Sequence, residues 1–207
     1  MSKSGLLFKI IFTLLLLPAL VWLAKVGIAD FLRLAPCTYI EDVQKGKERL
    51  VPARLLVSRE QLLTARSWDS SNPLIPEYLG QIAIIRAQLI SLSPTLQAAF
   101  FHEAIEDFQA AIALQPNSAY LWADKMTAGS LLLEANAKTG RDGQLVEREL
   151  SEISIALRRA NELGPWEPKV LAQLVKVGTL RYTEFSPDVR VLVDGAQKRA
   201  KRLGLNA

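Results

Sequence analysis

Residues 104–122 read AIEDFQAAIALQPNSAYLW, and this stretch decides the fold. Ala104, Phe108 and Ala111 are spaced four and three residues apart, so they share one face of a predicted helix. Pro116 follows them, and it predicts the end of that helix because proline cannot continue a helix and restricts the residue before it. Small residues on both sides of an aromatic one allow a second helix to approach closely. The stretch therefore predicts a helix that packs against a partner helix.

The pattern occurs again in residues 151–168, SEISIALRRANELGPWEP. Ile153, Leu157 and Ala160 repeat the four-then-three spacing, and Pro165 follows at the same interval as before. This duplication resembles the tetratricopeptide repeat, in which antiparallel helix pairs stack side by side. The residues predicted to pack the repeats are Ala104, Phe108, Ala111, Pro116, Trp122, Ile153, Leu157, Ala160 and Pro165.

Two features depart from the tetratricopeptide pattern. The distance from Pro116 to Pro165 is much longer than the usual repeat of about 34 residues. In addition, Lys125 and Met126 occupy positions where the repeat prefers a leucine and a small residue. We therefore expect two lengthened helical hairpins and a closing basic helix, and not a long regular solenoid.

The N-terminal residues 4–32, SGLLFKIIFTLLLLPALVWLAKVGIADFL, are strongly apolar. The segment 6–28 is long enough to cross roughly 30 Å of hydrocarbon, and it predicts an uncleaved transmembrane helix. A cleaved signal peptide is the first alternative, although Ala-x-Ala spacing is missing where cleavage would be expected. A lipoprotein box at residues 34–37 is the second. The predicted anchor residues are Leu6, Ile10, Leu15, Trp22 and Ile28.

The charges beside this segment leave its orientation open. Lys3 and Lys9 precede the apolar core, while several basic residues follow it and are partly offset by acidic ones. The positive-inside rule is therefore close to balanced, or even favours the side opposite to that expected for a domain outside the cytoplasm.

Composition excludes several classes of function. The single cysteine, Cys37, excludes an intramolecular disulfide, and with the lone His102 it argues against a structural zinc site. The net charge is +4, but the sequence contains no nucleic-acid-binding motif. No catalytic constellation is visible, so the sequence predicts a protein that is not an enzyme, with no metal, no cofactor and no nucleic-acid partner.

The sequence divides into a membrane anchor with its flanks (residues 1–34), a helical linker region (35–75) and a helical domain (76–207). Ser58 predicts the start of a short helix in the linker region through a capping box. Ser93 followed by Pro94, and Ser186 followed by Pro187, are typical of two further helix starts.

Repeat domains of this kind bind partners in the groove lined by the first helix of each pair. Polar residues on the corresponding faces are our partner-binding candidates: Tyr120, Thr127, Ser130, Asn136, Lys169, Lys176 and Thr179.

Four stretches together, RSWDSSNPLIPEYLGQIA, AIEDFQAAIALQPNSAYLWADKMTAGSLL, RRANELGPWEP and KVGTLRY, resemble the VpsP family of bacterial exopolysaccharide-biosynthesis proteins. The resemblance implies a single-pass protein of the inner membrane of a Gram-negative bacterium, with its helical domain in the periplasm. It also implies an accessory role in making or exporting the polysaccharide of biofilms.

Three hypotheses follow from these observations. The favoured one is a membrane-anchored scaffold that holds proteins of the polysaccharide assembly or export machinery. The second is a module that binds the polysaccharide itself by stacking sugar rings on Trp166, Tyr120, Tyr182 and Trp68. The third, an enzyme with a carboxylate pair, is the least favoured because no acid–base cleft is evident.

Overall fold

The computed structural model describes residues 3–90, 92–140 and 143–205, with side chains from Phe12 onward except those of Thr13 and Leu15. These residues form eight α-helices and one short 3₁₀ helix, Tyr182–Glu184, without a strand. The all-α prediction is therefore confirmed for this part of the chain. The helices are α1 (Lys3–Gln44), α2 (Pro52–Trp68), α3 (Leu74–Leu89), α4 (Pro94–Leu114), α5 (Ala119–Ala137), α6 (Gly143–Leu163), α7 (Pro168–Leu180) and α8 (Pro187–Arg202).

The chain divides into two compact units, Met1–Ile75 and Pro76–Ala207. In the first unit, α1 continues through residue 34 and Pro36, and it packs against α2. The hydroxyl group of Tyr39 accepts a hydrogen bond from the Val51 amide over 2.8 Å. The Arg54 guanidinium lies 4.2 Å from the centre of the same ring. Tyr39 therefore holds the first turn of α2 against α1.

The helix start predicted at Ser58 is wrong. Helix α2 begins at Pro52, with Val51 in an extended conformation before it, and Ser58 is buried in the helix interior. Proline supplies this start because its fixed φ suits the first helical position, where no amide donor is needed. The serine pattern was a local coincidence within a longer helix.

The first part of α1 carries a row of exposed apolar side chains. Leu14 is 68% exposed, Trp22 is 63% exposed, and Ile28 is also exposed. The side chains of the other predicted anchor residues, Leu6, Ile10 and Leu15, lie outside the described part of the structure. Among the described residues, no helix combines the length and the apolar character needed to cross a bilayer. The transmembrane part of the fold prediction is thus not supported by them.

The second unit consists of consecutive helix pairs. In the pair α5–α6, the end of one helix lies beside the start of the other. Asn136 near the end of α5 bonds to Glu149 near the start of α6. Ala119 at the start of α5 lies against Gly164 just after α6. The two helices are therefore antiparallel.

The pair α3–α4 is antiparallel as well, since Gly80 lies against Phe108 while Arg86 bonds to Glu103. In the pair α7–α8, Gly178 near the end of α7 lies against Val193, while Arg199 near the end of α8 donates to the Pro165 carbonyl in the turn before α7. The unit therefore contains three hairpins where the sequence predicted two and a closing helix.

A glycine in the first helix of each hairpin allows the second helix to approach. A Cβ added at Gly80 would lie 2.9 Å from the Phe108 ring, and one at Gly129 would lie 2.9 Å from Ile153. At Gly178 the added Cβ would lie 2.7 Å from both methyl groups of Val193. Each glycine follows the previous one by 49 residues in the sequence. This spacing is the repeat period of the unit.

The connections between hairpins repeat as well. Gln115–Ser118 and Gly164–Glu167 are four-residue turns with proline in the second position. In both turns the amide of the fourth residue donates to the carbonyl oxygen of the first, over 3.3 and 3.2 Å. The indole of Trp122 donates to the carbonyl of Pro116 over 2.9 Å. The two prolines therefore occupy equivalent turns between successive hairpins.

All six residues of the two predicted stripes are buried, including Ala104 and Ile153, which are 0% and 1% exposed. In the third hairpin, α8 contributes its own stripe, Val189, Val193 and Ala196, to the core that contains the stripe of α6. Its three residues have the same four-then-three spacing. The helical-repeat character of the prediction is consistent with this arrangement.

We expect Gly178→Ala to lower the free energy of unfolding by about 1–2 kcal/mol. A methyl group there overpacks the contact with Val193, which costs about 1–3 kcal/mol, and this outweighs the better helix propensity of alanine. Urea unfolding of the purified chain, followed by circular dichroism, measures the change.

Gly195→Ala in α8 is the matched control, because its Cβ would meet only the flexible end of the Arg199 side chain. It should gain up to about 1 kcal/mol from helix propensity. Equal stability of both variants would contradict the close-approach role of Gly178.

Candidate functional site

Helices α5 and α7 are the first helices of successive hairpins, and they contact each other. The repeat period places three residues of α5 at positions equivalent to three of α7. We define these six residues as the α5–α7 face: Tyr120, Asp124 and Thr127 with Lys169, Gln173 and Lys176. On each helix the three are spaced four and three residues apart, so they share one side of it.

A hydrogen bond joins the two helices at the centre of this face. The side-chain amide of Gln173 donates to Oδ1 of Asp124 over 2.7 Å. Burial raises the pKa of Asp124 to about 6, although the hydrogen bond and the nearby Lys169 ammonium group both act to lower it. Desolvation disfavours the charged form of a carboxyl group, which explains the direction. Asp124 therefore exchanges its proton in a range close to neutral pH.

Tyr120 lies at one end of the face and is 42% exposed. Its hydroxyl group donates to Oε2 of Glu167 over 2.7 Å, and this hydrogen bond raises the pKa of Tyr120. The bond crosses from α5 to the turn before α7, so it fixes the tyrosine ring while leaving part of it accessible.

The cations on the face belong to α7. Lys169 and Lys176 are exposed, and neither donates a hydrogen bond to a described residue. Thr127 is half-buried and donates its hydroxyl to the Ala123 carbonyl of its own helix over 2.9 Å. The exposed charge of the face is therefore positive.

Two of the predicted partner-binding residues are not on a free surface. Ser130 is buried, and Nη2 of Arg181 donates to its carbonyl oxygen over 3.0 Å. Asn136 is buried and donates to Oε1 of Glu149 over 2.7 Å. The reason is that α5 contacts α4, α6 and α7, which leaves it little free face. Thr179 is exposed and accepts a hydrogen bond from Gln197 over 3.1 Å.

Sequence reasoning missed Asp124 and Gln173. Both lie between predicted residues on the same helix faces, and the interval of 49 residues that relates the two prolines also relates these two. Applying that interval along the whole of both helices would have found them.

The aromatic residues proposed for sugar stacking lie in different environments. Trp166 is 51% exposed. Tyr182 is half-buried, bonds to Asp194 over 3.2 Å, and has the Arg190 guanidinium 5.8 Å from its ring centre. Trp68 is exposed and belongs to the first unit.

The described residues contain no group of three or more histidine, cysteine, aspartate or glutamate side chains that could hold a metal ion. His102 is exposed on α4.

We expect Asp124→Asn to raise the free energy of unfolding above pH 7, by an amount on the order of 1–3 kcal/mol. The folded pKa of Asp124, about 6, lies above the unfolded value of 3.8, so ionisation penalises the folded state above both values. The gain should shrink as the pH falls from about 6 to about 4 and vanish below that. Urea unfolding at several pH values measures it.

Asp188→Asn in α8 is a control for which we expect the opposite change in stability. Hydrogen bonds from Ser186 and Arg158 lower the pKa of Asp188 to about 2. Its charged form is therefore favoured by folding, and the substitution should lower the urea midpoint at neutral pH. A pH-independent effect of Asp124→Asn would contradict the assignment.

No protein-family model matches this chain, and no curated protein matches it significantly. The resemblance to the VpsP family stays a prediction from the sequence.

Proposed function

We propose that this protein is a membrane-attached scaffold of bacterial exopolysaccharide biosynthesis or export, which binds partner proteins through the α5–α7 face. The observation that carries the binding part is the continuity of that face across two hairpins, with the exposed cations Lys169 and Lys176 on one rigid side. The pathway rests on the family resemblance. In this proposal the protein is not an enzyme and uses no cofactor or metal.

The α5–α7 face has the properties of a preorganised binding surface. The Asp124–Gln173 bond links its two helices, and the Tyr120–Glu167 bond holds its one exposed aromatic ring. The two helices and the Tyr120 ring are therefore already held in place before a partner binds. This reduces the conformational entropy lost on binding. Its free lysines favour an acidic partner, since complementary charge speeds encounter and disfavours wrong partners.

Membrane attachment is supported by the first part of α1. Several of its described side chains from Phe12 to Leu34 are large, apolar and exposed. The apolar sequence extends further toward the N-terminus, from residue 6, and its uncharged part, residues 10–24, lies between Lys9 and Lys25. We propose a single-pass attachment to the inner membrane, with the helical domain on the periplasmic side as the family resemblance implies.

Attachment near the bilayer would raise the effective concentration of membrane-bound partners. A face of moderate affinity would then suffice to hold an assembly or export complex together.

A second candidate function is direct binding of the polysaccharide. The exposed indole of Trp166, beside the turn residue that bonds to Tyr120, favours it, because sugar rings stack on accessible aromatic faces. In this case Trp166→Ala would abolish binding of the purified polymer, whereas the scaffold proposal expects no polymer binding.

We expect the double variant Lys169→Glu, Lys176→Glu to reduce capture of partner proteins encoded with the polysaccharide machinery by about tenfold or more. Charge reversal replaces attraction to an acidic partner by repulsion. Co-purification from cells that make the polymer, followed by a binding titration with the purified partner, measures the loss.

The matched control is Lys198→Glu with Lys201→Glu, which makes the same charge change at exposed positions of α8. Capture should be unchanged in that variant. Equal losses in both double variants would show a nonspecific charge effect and contradict the assigned face.

We expect the wild-type chain to float with lipid vesicles and to remain with membranes after alkaline washing. The double variant Leu17→Glu, Leu20→Glu should be released, since each charge placed in hydrocarbon costs about 2–4 kcal/mol. Leu56→Glu with Val57→Glu makes the same change at exposed positions of α2 and should stay bound. Release of the wild type, or retention of the α1 variant, would contradict attachment through α1.

A further inference from the structure

Helix α1 carries one row of exposed residues that continues beyond its uncharged segment. Successive members are spaced three and four residues apart, which is the heptad spacing of helices that pair along their length. Phe31 is 79% exposed, Leu34 is 63% exposed, and the other members are exposed as well. We call this row the α1 seam: Leu17, Leu20, Ala24, Gly27, Phe31, Leu34 and Thr38.

The α1 seam lies on the opposite side of the helix from the residues that pack within the first unit. Ala29, Pro36 and Ile40 of α1 are buried. At about 100° per residue, the direction of these three residues differs from that of the seam by roughly 180°. The packing of α1 against α2 therefore leaves the seam uncovered.

Helix α2 runs antiparallel along the last part of α1. The amide of Val51, just before α2, donates to the hydroxyl oxygen of Tyr39 over 2.8 Å. The side-chain amide of Asn72, just after α2, donates to Oδ1 of Asp30 over 3.2 Å. The segment of α1 between residues 30 and 39, which includes part of the seam, therefore lies beside α2.

Exposed charges on α2 keep this level of the first unit out of hydrocarbon. Arg54, Glu60 and Arg66 are all exposed, and charged side chains are costly inside a bilayer. Phe31 and Leu34 therefore lie outside the bilayer even when the uncharged segment of α1 is inserted in it. In a single copy both would face water, which is unfavourable for large apolar side chains. Their cover must come from protein.

A second copy of this chain fits the seam. No member of the seam is charged, and Asp30 and Arg33 beside it form an ion pair over 2.7 Å within each copy. Two copies attached through the same helix present the seam at the same height and in the same direction, so each position meets its own counterpart. Nearer the bilayer the members are Ala24 and Gly27, and small residues let two membrane helices approach closely.

We propose that two copies of this protein form a parallel dimer along the α1 seam. The proposal rests on the membrane attachment through α1 proposed above, and it adds a partner for the part of α1 outside the bilayer. Phe31 packs against Phe31 of the partner subunit, and Leu34 forms the next layer in the same way. The dimer carries two α5–α7 faces, so it can bind its partner proteins bivalently.

Cysteine cross-linking of the full chain in lipid vesicles tests the pairing. The buried Cys37 is first removed by Cys37→Ala, so that one introduced thiol is the only one in the chain. We expect Phe31→Cys and Leu34→Cys to form disulfide-linked dimers on mild oxidation at least about tenfold faster than Thr64→Cys, because a disulfide needs close Cβ atoms. Thr64 is the matched control at an exposed position of α2. Equal rates at these positions, or no dimer at Phe31 and Leu34, would overturn the proposal.

Charged variants identify the occupant of the seam. Phe31→Glu and Phe31→Lys should each lose the dimer, since like charges would meet across the two-fold axis. Mixed in one membrane, the two variants should form at least about tenfold more dimer than either forms alone, because opposite charges then meet. Co-isolation of differently tagged copies measures this, and thermal unfolding checks that each variant is folded. Loss of the dimer without recovery on mixing would overturn the proposal.

Flotation with vesicles reports the membrane attachment separately. A chain that floats but does not cross-link through Phe31→Cys overturns the dimer and leaves the attachment standing. A chain that cross-links in detergent but does not float supports the dimer and overturns only the attachment.

Discussion

The fold of the second unit depends on how closely the two helices of each hairpin approach. Three positions without a side chain, Gly80, Gly129 and Gly178, allow a bulky residue of the second helix to rest on the backbone of the first. Protein interiors are close-packed, so even one methyl group at such a contact is felt. The burial of the opposing stripes, and with it the placing of α5 beside α7, follows from this approach.

Much of this architecture was predictable from Ala104, Phe108, Ala111 and Pro116, because helical periodicity and proline are strong local signals. The third hairpin was not predicted, since the second helix of that hairpin, α8, does not keep the interval of 49 residues that relates the earlier stripes. Its Val193 is closer in sequence to Gly178 than Ile153 is to Gly129. The start of α2 was misplaced because Ser58 fits a capping box in isolation, whereas the helix begins six residues earlier at Pro52.

The candidate site was predicted in part for a similar physical reason. Ser130 and Asn136 were predicted as partner-binding residues because they are polar. Both are buried, since α5 has neighbouring helices on three sides. Burial of a polar side chain depends on the partner that satisfies it, and neither Arg181 nor Glu149 is near these residues in sequence. Asp124 shows the converse case: the pKa of a residue passed over in the sequence is raised by burial, which no local sequence pattern indicates.

Helix α5 has a further consequence for the protein as a whole. One of its sides supplies Tyr120, Asp124 and Thr127 to the α5–α7 face, while another supplies Lys125, Gly129 and Leu132 to a cavity between α4, α5 and α6. A displacement of α5 would therefore change both surfaces at once. A ligand that displaced α5 at one surface would change affinity at the other, and by linkage the effect would be equal in both directions.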